Sequence, residues 1–433
     1  MERKRLTAEQ NQILELHTFS EEDNITEIVV SVIFEEKGEL KKLVSSIRKL
    51  YLIHPILTTR IIQEGNQATQ YISNIIPEIV IKRFENEKEL ELYINKNKKD
   101  NISIEEGLCS INGFTIGNKI GLIIKINHLI GDAFSISVLI NTFYAIFFNK
   151  KECESEYQYY KYIDKQNNYL NSSRFEIDEN YWINKFGTDR PINYISPIQN
   201  DLTKAGRFRY ILPKNTSLKI EHFCKNNNIS VQAFFLGLLN IYFAKRYEKN
   251  EFNIGVAINH RNKKDDQRGV GMFVTTLVFN MISNLDLNVE DYFSEVRSNY
   301  FGMLKHSNFD YYYLEQALIR DKKYAGKLYD VYFSYHPETD FQGKLFWYAE
   351  EQLNETLSIT LSNKGNDNFV LIYDYQISVF DNQDIIVLNN HLQTLLDDIL
   401  IDEKVAVSKL NYISKNEYNM VINEFNKTFE YIS

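Results

Sequence analysis

Apolar positions along this chain form two patterns that alternate from end to end. Short runs rich in β-branched residues predict strands, and apolar residues recurring every three or four positions predict helices. The first helix is expected in "LTAEQNQILELHTF" (6–19), where Thr7, with Glu9 and Gln10 close behind, makes a loose capping pattern. "EIVVSVIFEE" (27–36) reads as a strand. Leu40, Leu43, Val44, Ile47, Leu50 and Tyr51 fall at helical spacing, and Pro55 ends that helix. "TTRIIQEGNQATQYI" (58–72) reads as a hairpin and "EKELELYINKN" (87–97) as a short helix. Two strands then flank a turn at "GNK" (117–119). The second, "GLIIKIN" (121–127), is nearly all apolar apart from Lys125, as suits a strand covered on both faces. "AFSISVLINTFYAIFF" (133–148) is long enough for a buried helix.

The stretch 150–190 is polar and tyrosine-rich, and 187–206 shows no clear periodicity and holds Pro191 and Pro197. That marks a domain boundary. Beyond it the themes repeat. Strands are expected at 206–213, 251–259, 274–282, 328–336 and 368–377, and helices at 215–228, 229–247, 289–306 and 383–402. Alternation of this kind argues for two α/β lobes of comparable size, 1–186 and 187–411, followed by a tail, 412–433.

A chain of 433 residues is too long for one ordinary core, which agrees with two lobes. The formal net charge is -9, and no basic stripe is present, so nucleic acid is not an expected partner. "KNKKD" (96–100) and "RNKKDD" (261–266) read as solvated loops. Cys109, Cys153 and Cys224 are odd in number and far apart, as in reduced thiols of a cytoplasmic protein. The N-terminus lacks the apolar centre of a signal peptide, and no run is long enough for a membrane span. The eight histidines form no H-E-x-x-H or H-x-H pattern, so no metal site is expected.

One histidine is distinguished by its place. In "INHLIGDAFS" (126–135), His128 ends the apolar strand, a tight turn with Gly131 follows, and Asp132 precedes the long helix. Strand ends facing a crevice are where α/β architectures place ligands. An imidazole titrates near neutrality, and an aspartate four residues on can hold the turn or fix the ring's tautomer. H-x-x-x-D alone occurs often by chance, and a core histidine is the plain alternative.

The motifs in order carry more. Asn127-His128-Leu129-Ile130-Gly131-Asp132-Ala133 resembles the H-H-x-x-x-D-G signature of nonribosomal peptide synthetase condensation domains, with Asn127 at the first histidine and Ala133 at the glycine. "LTAEQNQILEL" (6–16) is similar to that family's S/T-x-A-Q opening, and "HPILTTRI" (54–61) to its R-H-E-x-L-R-T-x-F motif. "GVGMFVTTLVFNM" (269–281) resembles G-x-F-V-N-T, and "HSNFDYYYLEQAL" (306–318) a degenerate H-Q-D-x-P-F-E. "YDVYFSYH" (329–336) and "LIYDYQISVFD" (371–381) are similar to strands that follow in the family.

The resemblance implies two chloramphenicol-acetyltransferase-like lobes in a V-shaped pseudo-dimer with a central tunnel. It implies an acyltransferase that forms an amide between a donor acyl or peptidyl thioester and the amine of an acceptor aminoacyl thioester. Donor and acceptor peptidyl carrier proteins bring both on phosphopantetheine arms, so no cofactor is bound covalently. An adenylation domain follows the tail. His128 is then the catalytic residue, as a base or as a holder of the amine. A backbone N–H in the turn Gly131–Ala133 is an oxyanion donor. Asn127, Gly131, Asp132 and Ala133 shape the site. The family pairs the aspartate with an arginine that corresponds here to Thr58, and Arg60, two residues on, is expected to substitute. Thr275, Thr276, Ser334 and Tyr335 are expected to line the tunnel. A degenerate carrier-docking domain, a starter domain and a free acyltransferase using a fatty acyl donor are the alternatives.

Overall fold

The computed structural model describes residues 2–422, apart from residues 20–24, 38, 66, 99–102, 151–158, 187–194, 196–202, 322–326, 338–340, 349–351, 364–367 and 421. The first half runs β1 (Lys4–Arg5), α1 (Ala8–Phe19), β2 (Glu27–Lys37), α2 (Leu40–Ile53), β3 (Thr59–Glu64), β4 (Gln67–Ile72), β5 (Ile81–Phe84), α3 (Glu87–Asn97), β6 (Cys109–Ile116), β7 (Lys119–Asn127), α4 (Ala133–Phe147), α5 (Tyr159–Leu170) and α6 (Ser173–Phe186). The second runs β8 (Thr203–Ile211), α7 (Lys214–Asn226), α8 (Val231–Tyr247), β9 (Glu251–Asn259), β10 (Val274–Ile282), α9 (Val289–Lys305), α10 (Tyr311–Arg320), β11 (Val331–His336), β12 (Lys344–Tyr348), β13 (Gln352–Leu353), β14 (Leu357–Asn363), β15 (Phe369–Gln376), α11 (Asn382–Ile399) and α12 (Lys415–Asn419).

Besides a small three-stranded sheet, β1-β4-β3, two larger sheets organise these elements. The first has the order β12-β2-β7-β6-β5, and the second β10-β9-β11-β14-β15-β8-β13. On one face of the first sheet, Val30, Val32, Ile124 and Ile126 pack with Leu43 and Ile47 of α2 and Ile136, Leu139 and Ile140 of α4. On its other face Val29, Ile33 and Phe114 meet Leu90 and Ile94 of α3. That double cover is why β7 reads as an almost unbroken apolar run. In the second sheet, Val256, Leu277, Phe333 and Ile359 share a core with α8, α9 and α11.

The chain crosses between these cores in both directions. Trp182 and Phe186 of α6 lie in the second core, while Val270, Met272 and Phe273, just before β10, lie in the first. β12 leaves the second half to pair antiparallel with β2, from Lys344↔Ile33 to Tyr348↔Val29. Helices α5 and α6 occupy the stretch whose polar, tyrosine-rich composition gave no helical signal. Their buried side chains, Tyr159, Tyr162, Ile163, Trp182 and Phe186 among them, are mostly aromatic. Of the expected tail, residue 421 and residues 423–433 lie outside the described residues. So do Cys153 and nearly all of the boundary segment 187–202.

His54, at the end of α2, is buried with its Nε2 3.2 Å from the Thr142 hydroxyl of α4. Burial pushes its pKa down from 6.5 to about 4. Between those values the unfolded chain binds a proton that the native state refuses, so this residue costs stability as the pH falls through that window. A His54→Asn variant is expected to lose less melting temperature than the wild type between about pH 7 and about pH 4.5.

Candidate active site

The site forms where β7 ends. Asn127 is fully buried; its side chain accepts from Leu129 N at 2.9 Å and donates to Thr26 Oγ1 at 3.1 Å. One amide thus serves as acceptor and donor together, capping the single 3-10 turn His128–Ile130. His128 N donates to Thr26 O at 2.7 Å. The Leu129 carbonyl accepts from Gln10 Nε2 at 2.7 Å, and Gln10 is itself paired amide to amide with Gln70. A Cβ at Gly131 would lie 2.7 Å from Ile126 Cδ1, so the turn closes tightly on its own strand.

Asp132 caps α4 in a complete capping box. Its Oδ1 accepts from Ser135 N at 2.8 Å and from Ser135 Oγ at 2.9 Å. Its Oδ2 accepts from Phe273 N at 3.2 Å and from Arg261 Nη1 in a buried ion pair. Arg261 also donates to Ser135 Oγ at 3.0 Å and Gly269 O at 3.2 Å, and its guanidinium lies 4.1 Å from the Phe273 ring centroid. Burial works to raise the Asp132 carboxyl, but the Arg261 charge and these hydrogen bonds outweigh it and hold the group below its ordinary value. A carboxylate with four donors and a depressed pKa holds the turn and has no proton to trade. Its bonds go to Ser135, Phe273 and Arg261 rather than to the imidazole.

His128 itself is half-buried, and its Nδ1 is enclosed without a hydrogen-bond partner among the described residues. Burial lowers the pKa of the ring, against the pull of the Asp132 charge. The neutral imidazole is therefore the resting form near neutral pH, with a lone pair to offer. Ala133 begins α4, half-buried, one residue beyond the cap.

The structure corrects three expectations. Arg60 lies in β3 opposite Tyr71, and Arg261 occupies the place beside Asp132 expected of it. Thr58, the motif-aligned position, spends its hydroxyl on the Pro55 and Ser73 carbonyls. Arg261 opens the run "RNKKDD" read as solvated; the three residues after it are exposed, but Arg261 is buried. Its signal in the sequence is position, shortly after an apolar strand.

The four expected tunnel residues divide by strand alternation. Thr276 and Ser334 share the face turned away from the helices, where Ser334 Oγ lies 3.0 Å from Thr360 Oγ1. Thr275 and Tyr335 point the other way. Thr275 donates to Asp310 Oδ2 at 3.0 Å, and Tyr335 packs against the second core. His336, on the Ser334 face, carries no motif that would single it out in the sequence.

The Asp132–Arg261 pair gives a direct test. Arg261→Met leaves a buried carboxylate uncompensated and is expected to cost about 3–5 kcal/mol in denaturant unfolding. The double variant Asp132→Asn/Arg261→Met is expected to recover part of that loss.

Comparison with known proteins identifies the family. The family model described as "Condensation domain" matches residues 2–422. Bacitracin synthase 1 of Bacillus licheniformis is 24% identical over 322 residues, which is 71% of this chain and 6% of that protein. The chain thus spans a small part of the length of the curated relatives it matches. The condensation domain from the Monacolin K polyketide synthase MokA superposes with a TM-score of 0.81 at 13% identity, covering 94% of this chain and 99% of that one. A holo four-domain nonribosomal peptide synthetase bound to AMP and glycine superposes with a TM-score of 0.82 at 14% identity, over 97% of this chain and 34% of that one. A buried H-x-x-x-D turn between two α/β lobes, and a match that runs almost from end to end, make this chain a member of the condensation domain family.

Proposed function

We propose that this domain joins a donor acyl or peptidyl thioester to the amine of an acceptor aminoacyl thioester, with His128 as the residue that handles the attacking nitrogen. The observation that carries this reading is the neutral, half-exposed imidazole fixed at a strand end by Asn127, Gln10 and Asp132. The C–N bond forms as the C–S bond breaks, the nitrogen loses its proton, and the leaving thiolate gains one. A thioester is already activated, so alignment and proton handling are the tasks left to the protein. A neutral ring suits both.

Asn127, Gly131 and Asp132 serve by shaping the turn. Ala133, at the first position of α4, keeps a backbone N–H that suits a developing oxyanion. Thr276 and Ser334 border the space through which the substrates reach His128. Donor and acceptor peptidyl carrier proteins deliver the substrates on phosphopantetheine arms, in the cytoplasm. The lobes divide at 186/187, and 412–433 leads towards an adenylation domain.

The test is mass gain on an acceptor carrier protein loaded with an aminoacyl group, followed by intact-protein mass spectrometry. Peptidyl, aminoacyl and fatty acyl donors are offered in parallel. His128→Ala is expected to cut the rate by about 10²–10⁴-fold at unchanged melting temperature. Binding of both carriers with no mass gain from any donor would overturn the reading in favour of a docking domain. A gain confined to fatty acyl donors would make it a starter domain.

A further inference from the structure

Each backbone group next to the His128 side chain has its own partner. His128 N donates to Thr26 O at 2.7 Å, Leu129 N donates to Asn127 Oδ1 at 2.9 Å, and the Leu129 carbonyl accepts from Gln10 Nε2 at 2.7 Å. These bonds lead back to one face of α1, the helix that packs on the turn. Gln10, Leu14 and His17 follow one another at spacings of four and three, so they share that face. Leu14 is buried in the first core with Leu129 and Ile130. Gln10 reaches the turn directly. His17 is half-buried in the last turn of α1, and its Nδ1 lies 3.2 Å from Thr26 Oγ1.

Thr26, buried between α1 and β2, is the junction. Its hydroxyl oxygen accepts from Asn127 Nδ2 at 3.1 Å, because Asn127 Oδ1 is already spent on Leu129 N. An amide NH2 only donates, so the single Thr26 hydroxyl hydrogen goes elsewhere. His17 Nδ1 is the other partner of that hydroxyl among the described residues. The bonding is complete when Nδ1 is bare and the ring carries its hydrogen on Nε2. Every donor then points the same way: Leu129 N–H to Asn127, Asn127 N–H to Thr26, Thr26 O–H to His17. A hydrogen on Nδ1 would meet an oxygen that already accepts from Asn127, and would strand the hydroxyl hydrogen in a buried place.

We propose that His17 is a positioning residue for the amide-forming reaction: through Thr26 and Asn127 it orients the turn that aims the His128 ring. This rests on the reading of His128 given above. Thr26 grips the turn twice, by its hydroxyl on Asn127 and by its carbonyl on His128 N. The acceptor that fixes the rotation of the hydroxyl therefore fixes the amide of Asn127, and the amide fixes Leu129 N. Gln10 holds the far side of the same turn, so the two polar residues of one helix face brace His128 between them. His17 touches no reacting atom, and its effect falls on the alignment of His128 rather than on the binding of substrate.

The experiment compares wild type with His17→Leu, His17→Gln and His17→Asn, following kcat and KM for a loaded acceptor carrier protein, with melting temperature as the folding control. An Asn oxygen falls where Nδ1 lies and can accept from Thr26, whereas a Gln amide falls at the place of Nε2. His17→Leu and His17→Gln are expected to lower kcat about 10-fold with KM little changed, and His17→Asn to stay within about 3-fold of the wild type. No loss in His17→Leu, an equal loss in all three variants, or a loss carried by KM overturns the proposal. Nitrogen-15 shifts of labelled histidine in the wild type supply a readout independent of turnover. At about pH 8, where an imidazole is ordinarily neutral, His17 is expected to show a bare Nδ1 and a protonated Nε2. A hydrogen on Nδ1 also overturns the proposal. No amide from the wild type with any donor overturns the amide-forming reading itself, and this inference with it; amide formed equally fast by wild type and His17→Leu overturns only the inference.

Discussion

The ion pair between Asp132 and Arg261 is the contact on which the rest of the site depends. Each partner alone would be a buried charge costing several kcal/mol. Together, with Ser135, Phe273 N and the Gly269 carbonyl adding hydrogen bonds, they become a fixed joint. The aspartate belongs to the start of α4 and the arginine lies just past the end of β9, so the joint ties the first lobe's His128 turn to the second lobe's sheet. Gly271 lies against Tyr159 so closely that a Cβ would come within 2.1 Å of the ring, and the Tyr159 hydroxyl donates to Met272 O at 2.7 Å. The loop that carries the arginine's neighbours is thus locked from a second side. Positioning His128 is a property of both lobes, although the residue sits in only one.

Much of this is legible in the sequence, and for physical reasons. β7 and α4 announce themselves because a strand covered on both faces must be apolar throughout, and because Asp132 is a strong helix start. The Gln10 pattern at α1 is visible as a cap; the reciprocal bonds Thr7 N to Gln10 Oε1 and Gln10 N to Thr7 Oγ1 form it. That the same amide holds the Leu129 carbonyl is not visible, since it depends on two segments about a hundred residues apart meeting. Helices α5 and α6 escape because their buried faces are built from Tyr and Trp, which composition counts as half polar. Arg261 escapes because a run of charges hides the one member that turns inward. Thr275 and Thr276 read as a pair, but adjacent residues on a strand cannot line the same wall.

The chemistry and the packing pull in the same direction at His128. Enclosing an imidazole favours its neutral form, and the neutral form is the one that can receive a proton. Charge from Asp132 would oppose this, and the Arg261 guanidinium blunts that charge at its source. The residue that fixes the turn is thereby kept from charging the imidazole it positions.

The pairing of β12 with β2 reaches beyond catalysis, into the synthesis of the chain. β2 emerges early, and its edge stays open until β12 arrives about 310 residues later. At common rates of translation of about 5–20 residues per second, that interval is about 15–60 seconds. An unpaired edge rich in Val and Ile, left open that long, invites other strands. The first lobe is therefore made first and finished last, and its final strand closes both the sheet and the period in which the nascent protein is most exposed to misassembly.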